Sequence, residues 1–169
     1  MNSNSFSNPS RRIVSTAVLA GLAGGVAEMV WIAGYCAATS LSSSDVLRQI
    51  SLSVAPDAGA GALALVAGVA IHLGLSILLG LAFALAVWRP FLRRSGIMGS
   101  LLTSCAVLVL IWVTNFFVVL PILNPSFTGL LPYGVTLASK LLFGVAMGWV
   151  LYRRAHRSHR RPALALRTA

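Results

Sequence analysis

Four long apolar runs, at residues 13–38, 61–88, 97–120 and 132–152, alternate with short polar segments along this chain. A bilayer core about 30 Å thick is crossed by about 20 helical residues. Each run is therefore long enough to span one. Lipid offers no partner to a bare peptide group, so each span is expected to be helical. The pattern predicts an all-α membrane protein, a four-transmembrane-helix bundle over 13–152. Residues 1–12, rich in Ser and Asn, are expected to be a disordered cytoplasmic N-terminus. Residues 153–169 are expected to form a basic cytoplasmic tail.

The two outer connections differ in kind. In 39–60, Ser44 is placed to cap a short helix with Asp45 in its first turn. Val46, Leu47, Ile50 and Val54 share a face there, which predicts a segment lying on the membrane surface. The connection 121–131 carries no charge, and Pro121, Pro125 and Pro132 are expected to break the helices around it. Phe127 and Tyr133 suit the interface. So apolar a loop is expected to fold onto the bundle or to pack on a partner.

Composition agrees with the pattern. Of 169 residues, 57% are hydrophobic and 9% charged, against roughly 25% charged in soluble domains. The net charge of +10 raises the question of nucleic acid, but placement answers it. Arg11 and Arg12 precede the first span, Arg89, Arg93 and Arg94 follow the second, and Arg153, Arg154, Arg157, Arg160, Arg161 and Arg167 follow the fourth. Only Arg48 lies on the other side, beside Asp45 and Asp57. This is the positive-inside distribution, which predicts a multi-pass protein of the bacterial inner membrane with both termini cytoplasmic. The tail is read as attracted to anionic headgroups, and no nucleic-acid partner is expected. Ser10-Arg11-Arg12-Ile13 resembles the start of a twin-arginine signal, yet the apolar run exceeds a signal's 7–15 residues and carries Glu28.

Small residues recur every fourth position on several spans. Ala60, Ala64, Gly68, His72, Ser76, Gly80 and Ala84 do so in the second, and Thr136, Lys140, Gly144 and Gly148 in the fourth. Thr16, Ala20, Gly24 and Glu28 do so in the first, beside Ala17, Gly21 and Gly25. Such faces let helix backbones approach closely, which predicts a tight bundle, a homodimer or a larger membrane complex. The second and fourth spans also match without a gap, Gly80 to Arg89 against Gly144 to Arg153. Either two apolar helices converge on one ending, or the halves are two hairpins related by a parallel internal repeat; the ungapped match favours the repeat.

Each span carries one strongly polar side chain: Glu28, His72, Asn115 and Lys140. At 1.5 Å per residue they fall roughly 7–16 Å from the outer ends of their helices. A lone charge at that depth costs at least about 2.5–3.5 kcal/mol. Glu28 is therefore expected to pair with Lys140, with His72, Asn115 and Ser76 completing a polar cluster. That cluster reads equally as a register lock or as a proton- or ligand-responsive site. No cofactor or metal site is expected. His72 is the one intramembrane histidine, so bis-histidine haem lacks a second ligand. His156 and His159 sit among arginines, which repel a cation. Cys36 and Cys105, at different depths, read as small apolar fillers.

At these motifs the chain resembles a group of small, uncharacterised bacterial four-span inner-membrane proteins. The resemblance rests on Ile71-His72-Leu73-Gly74-Leu75-Ser76-Ile77-Leu78-Leu79-Gly80, on Asn115-Phe116-Phe117, and on Lys140-Leu141-Leu142-Phe143-Gly144 with Trp149. It also takes in the segment around Asp45–Ala55. Lys140 stands where that group often has histidine, which changes the charge of the cluster. The resemblance implies the four-span fold and brings no activity with it. From these features the expected function is non-enzymatic, an accessory or assembly component acting through helix packing. The alternative is a small transporter or channel using Glu28, His72 and Lys140, with an intramembrane enzyme or cofactor carrier behind both.

Overall fold

The computed structural model describes residues 9–57, 61–92 and 95–165, and the side chains of 11–57, 61–92 and 95–156. Expectations for 1–8, Ala60, Arg93, Arg94 and Arg167, and for the side chains of Arg157, His159, Arg160 and Arg161, lie outside that description. The protein is an all-α bundle with four helices long and apolar enough to cross a membrane. The elements are α1 (Pro9–Ala38), α2 (Ser43–Leu52), α3 (Ala62–Phe83) continued by a π-helical stretch (Ala84–Leu92), and α4 (Ile97–Thr114) continued by a second one (Asn115–Val119). Two short helices, α5 (Leu120–Leu123) and α6 (Pro125–Thr128), lead to α7 (Tyr133–Ala165).

Several boundaries differ from the sequence expectation, each for a physical reason. α1 begins at Pro9 rather than Ile13, with proline in the first turn where its missing N–H costs nothing. Pro121 does not break the third span, which runs on as helix to Leu123. The π-helical turn just before Pro121 widens the backbone where the proline ring would meet a carbonyl one turn back. Pro90 sits inside the other π-helical stretch in the same way. Asn124 does end the helix, with φ −153° and ψ 80°.

α1 and α7 form the centre, with α3 on the far side of α1 and α4 on the far side of α7. Glycines set these contacts. A Cβ on Gly21 would collide with the Ser76 carbonyl of α3, and one on Gly80 would meet Ala17 and Gly21 of α1. Gly144 and Gly148 sit in the same way on Cys105, Ser104 and Ser100 of α4. Gly24 makes room for the Phe143 ring of α7. These glycines make their close contacts within one chain. In each hairpin the matched glycine, Gly80 or Gly144, rests on the preceding span, as a repeat of hairpins requires. The hairpins join asymmetrically, however: α1 lies along α7, while α4 meets the second span through the π-helical stretch 84–92.

α2 is not a free surface helix. Its N-cap is Ser42 rather than Ser44, the Ser42 hydroxyl accepting from the Ser44 N–H at 3.2 Å. Its backbone at Leu47 presses on Gly68 of α3, and Val46 packs with Cys36 and Leu131. Asn124 holds its far end: the amide nitrogen lies 3.1 Å from the Gln49 carbonyl, 2.9 Å from Gln49 Oε1 and 3.1 Å from Ser53 Oγ. α2 therefore closes the loop end of the bundle between α3 and α6. Large apolar side chains such as Leu63, Leu78, Leu102, Leu110 and Ile122 point outward and more than half exposed, the arrangement lipid favours and water does not.

Gly80→Leu is expected to destabilise the protein by about 1–3 kcal/mol, because α3 must be pushed off α1. Gly74→Leu should leave stability unchanged, since nothing lies within 4 Å of the added Cβ. Thermal unfolding of both variants in mild detergent checks the contrast.

Candidate functional site

The polar residues sort into one tight group and two outliers. Glu28 of α1 and Lys140 of α7 form an ion pair, with Nζ 2.6 Å from Oε1 and 2.7 Å from Oε2. The carboxylate is 10% exposed and the lysine side chain 17%, so water has little access to either. Ser139 joins them: its Oγ lies 3.1 Å from Glu28 Oε1 and 2.7 Å from the Thr136 carbonyl, between which its single proton is shared. The Lys140 ammonium also stands 5.8 Å from the centre of the Phe143 ring. Gly24, one turn along α1 from Glu28, is what admits that ring. The pairing follows from cost, since either charge alone in hydrocarbon would be strongly unfavourable.

Two further bonds brace the same level. Trp31 of α1 donates from Nε1 to the Val135 carbonyl of α7 at 3.0 Å. Trp112 of α4 donates to Thr136 Oγ1 at 3.0 Å, and Thr136 in turn donates to the Tyr133 carbonyl. Ser139, Trp31, Thr136 and Trp112 are additions to the sequence-derived set. Ser139 had a signal, adjacency to Lys140 on a helix already expected to carry the pair. Thr136 and the tryptophans read equally well as packing or interfacial residues.

His72 bonds elsewhere. Its Nε2 lies 3.1 Å from the Gly25 carbonyl on α1, and because a carbonyl only accepts, the ring donates from that nitrogen. Ser76 donates to the His72 carbonyl at 2.7 Å, and its side chain occupies the space a Cβ on Gly25 would need. His72 and Ser76 thus tie α3 to α1 rather than completing the ion pair. Asn115, in the π-helical turn of the third span, is partly buried, and its amide bonds to none of the described residues. In place of the expected five-residue cluster there is a Glu28–Lys140–Ser139 centre, with His72, Ser76 and Asn115 apart from it.

Apolar layers enclose the centre on both sides. Towards the loop end lie Ile32, Tyr35 and Cys36 with Val46, Ile50, Phe127, Leu131 and Val135. Towards the termini lie Ala17, Ala20, Phe83, Trp88, Leu108, Phe143, Met147 and Leu151. Cys36 is buried in the first layer, and Cys105 points its thiol at the Leu141 carbonyl, 3.7 Å away, so both act as packing groups. At the terminal end Arg153 stacks on Trp149, and His156 bonds to the Tyr152 carbonyl and lies against the Tyr152 ring. Among the described residues no three of His, Cys, Asp and Glu converge on a common point. Comparison of the chain with protein-family models, with curated proteins and with solved structures finds no match.

A double-mutant cycle tests the ion pair. Glu28→Gln and Lys140→Met singly are each expected to cost about 3 kcal/mol, the penalty for an unpaired intramembrane charge. The double variant should recover most of that loss. Stability is read by thermal or denaturant unfolding in detergent. Additive losses would show that the two side chains do not depend on each other.

Proposed function

We propose that this protein is a non-enzymatic accessory or assembly component of the bacterial inner membrane that acts through helix packing. The observation that carries this reading is the closure of the intramembrane charge centre. Glu28 and Lys140 satisfy one another, Ser139 donates to the Glu28 carboxylate, and apolar layers separate the group from both ends of the bundle. A solute or proton pathway needs polar groups in sequence across the membrane, and the arrangement around Glu28 is instead that of a lock. Arg11, Arg12, Arg89, Arg153 and Arg154 gather at the end of the bundle where the chain starts and finishes, and Arg48 lies at the other. On the positive-inside rule that terminal end faces the cytoplasm, where the arginines meet anionic headgroups.

A second reading, a small transporter or channel, draws on two features. His72 uses only Nε2, and the Asn115 amide is unengaged, among the described residues. Purified protein in proteoliposomes separates the two. Proton and small-cation flux is expected to stay at the level of protein-free vesicles. Flux above that level, abolished by Glu28→Gln or His72→Ala, would replace the packing role with transport.

A further inference from the structure

We infer that the flank of the third span carrying Asn115 is a seam for a second copy of this chain. The inference deepens the packing role proposed above, by naming the surface and the partner, and rests on it.

Asn115 differs from the other strongly polar intramembrane side chains. Glu28, Lys140 and His72 are each engaged inside the chain, whereas the Asn115 amide brings two donors and an acceptor and has no bond to a described residue. Leaving those groups unmet in hydrocarbon is costly, and asparagine bonds between helices are one of the interactions that hold membrane helices together. Its position is the second argument. Ser104, Leu108, Trp112 and Phe116 form the buried stripe that α4 and its π-helical extension turn inward. Thr103, Val107, Ile111 and Asn115 form the neighbouring stripe, all partly buried, on the side away from Cys105 and its contact with Leu141. Val107 packs on the core near the terminal end. Beyond it the second and third spans are joined chiefly through residues 84–92, so Ile111 and Asn115 extend past that junction.

A second copy fits this stripe for reasons of chemistry and geometry. An amide is its own complement, because one donates where the other accepts. The membrane holds all copies in one orientation, so two third spans meet in parallel with their Asn115 residues at the same depth. A twofold axis along the membrane normal then pairs Asn115 with Asn115 and sets Ile111 against Ile111 one turn away. The glycines that set the α1–α3 and α4–α7 contacts are spent inside the chain, so on this flank the amide is the group that supplies direction.

The test uses the full chain with Cys36→Ala and Cys105→Ala, reconstituted at low density in bilayers. Oligomeric state is read by single-molecule photobleaching, and proximity by oxidative crosslinking of Ile111→Cys. A dimer is expected, together with an Ile111→Cys crosslink and none from Leu110→Cys on the lipid-facing side. Asn115→Leu should weaken dimerisation about tenfold, the size of a hydrogen bond between membrane helices, and slow the crosslink in proportion. Asn115→Gln should retain both. In detergent, with the protein dilute enough to stay monomeric, the unfolding temperature should be unchanged by Asn115→Leu, since the amide holds nothing within the chain. A dimer insensitive to Asn115→Leu overturns the seam and leaves the packing role standing. A monomer that co-purifies with another membrane protein in an Asn115-dependent way overturns the second copy as partner. A monomer with no companion overturns both.

Discussion

The close approach of α1 to its two neighbours is the constraint on which the rest of the bundle depends. On one side Gly21 and Gly25 bring α3 to backbone contact, so that Gly80 sits on Ala17 and Gly21 and Ser76 fits against Gly25. On the other side Gly24 lets Phe143 of α7 lie against bare backbone. Side chains at these positions would separate the helices and remove the dispersion contacts that drive association where lipid is as apolar as the interface. The same approach brings Glu28 within reach of Lys140 and the Gly25 carbonyl within reach of His72. The polar bonds are therefore consequences of glycine packing, and they fix in register what the glycines bring near.

That ordering explains which parts of the molecule the sequence discloses. Hydrophobic run length identifies the four spans, because the bilayer imposes a length that few soluble elements share. The Glu28–Lys140 pairing is legible because an unpaired charge would be too costly. The partner of a glycine face is not legible, since four-residue periodicity says that a helix packs closely but not on what. Gly68 shows this: it continues the stripe of the second span, yet it receives the backbone of α2 rather than a membrane helix. The position of α2 was hidden for the same reason, together with the Asn124 clamp, whose three acceptors come from a segment distant in sequence.

His72 and Asn115 show where depth alone misleads. Both lie at the level of the ion pair by residue count, yet azimuth around the helix decides what a side chain meets. His72 faces α1 one turn from Glu28 and finds a carbonyl uncovered by Gly25. Asn115 lies on the stripe beside Trp112 and Phe116 rather than on it. The π-helical turn that starts at Asn115 changes this azimuth further, and its cause, Pro121, reads in sequence as a helix breaker. Proline in a membrane span is accommodated because a break would bare peptide groups to lipid, which costs more than a widened turn.

The polar groups thus divide by what they have left to give. Glu28 closes on Lys140 and Ser139, Trp112 on Thr136 and Trp31 on the Val135 carbonyl around α1, α7 and α4, and His72 with Ser76 closes α3 on α1. Each such bond satisfies a group inside the chain and so makes the bundle rigid without making it sociable. Specific association in lipid comes from a close-packed small-residue face or from a polar group left unsatisfied until a partner arrives, because apolar surface alone meets lipid tails as readily as it meets another helix. In the proposed assembly the Asn115 amide, on the partly buried flank of the third span, is such a group, at a depth where water cannot easily serve it.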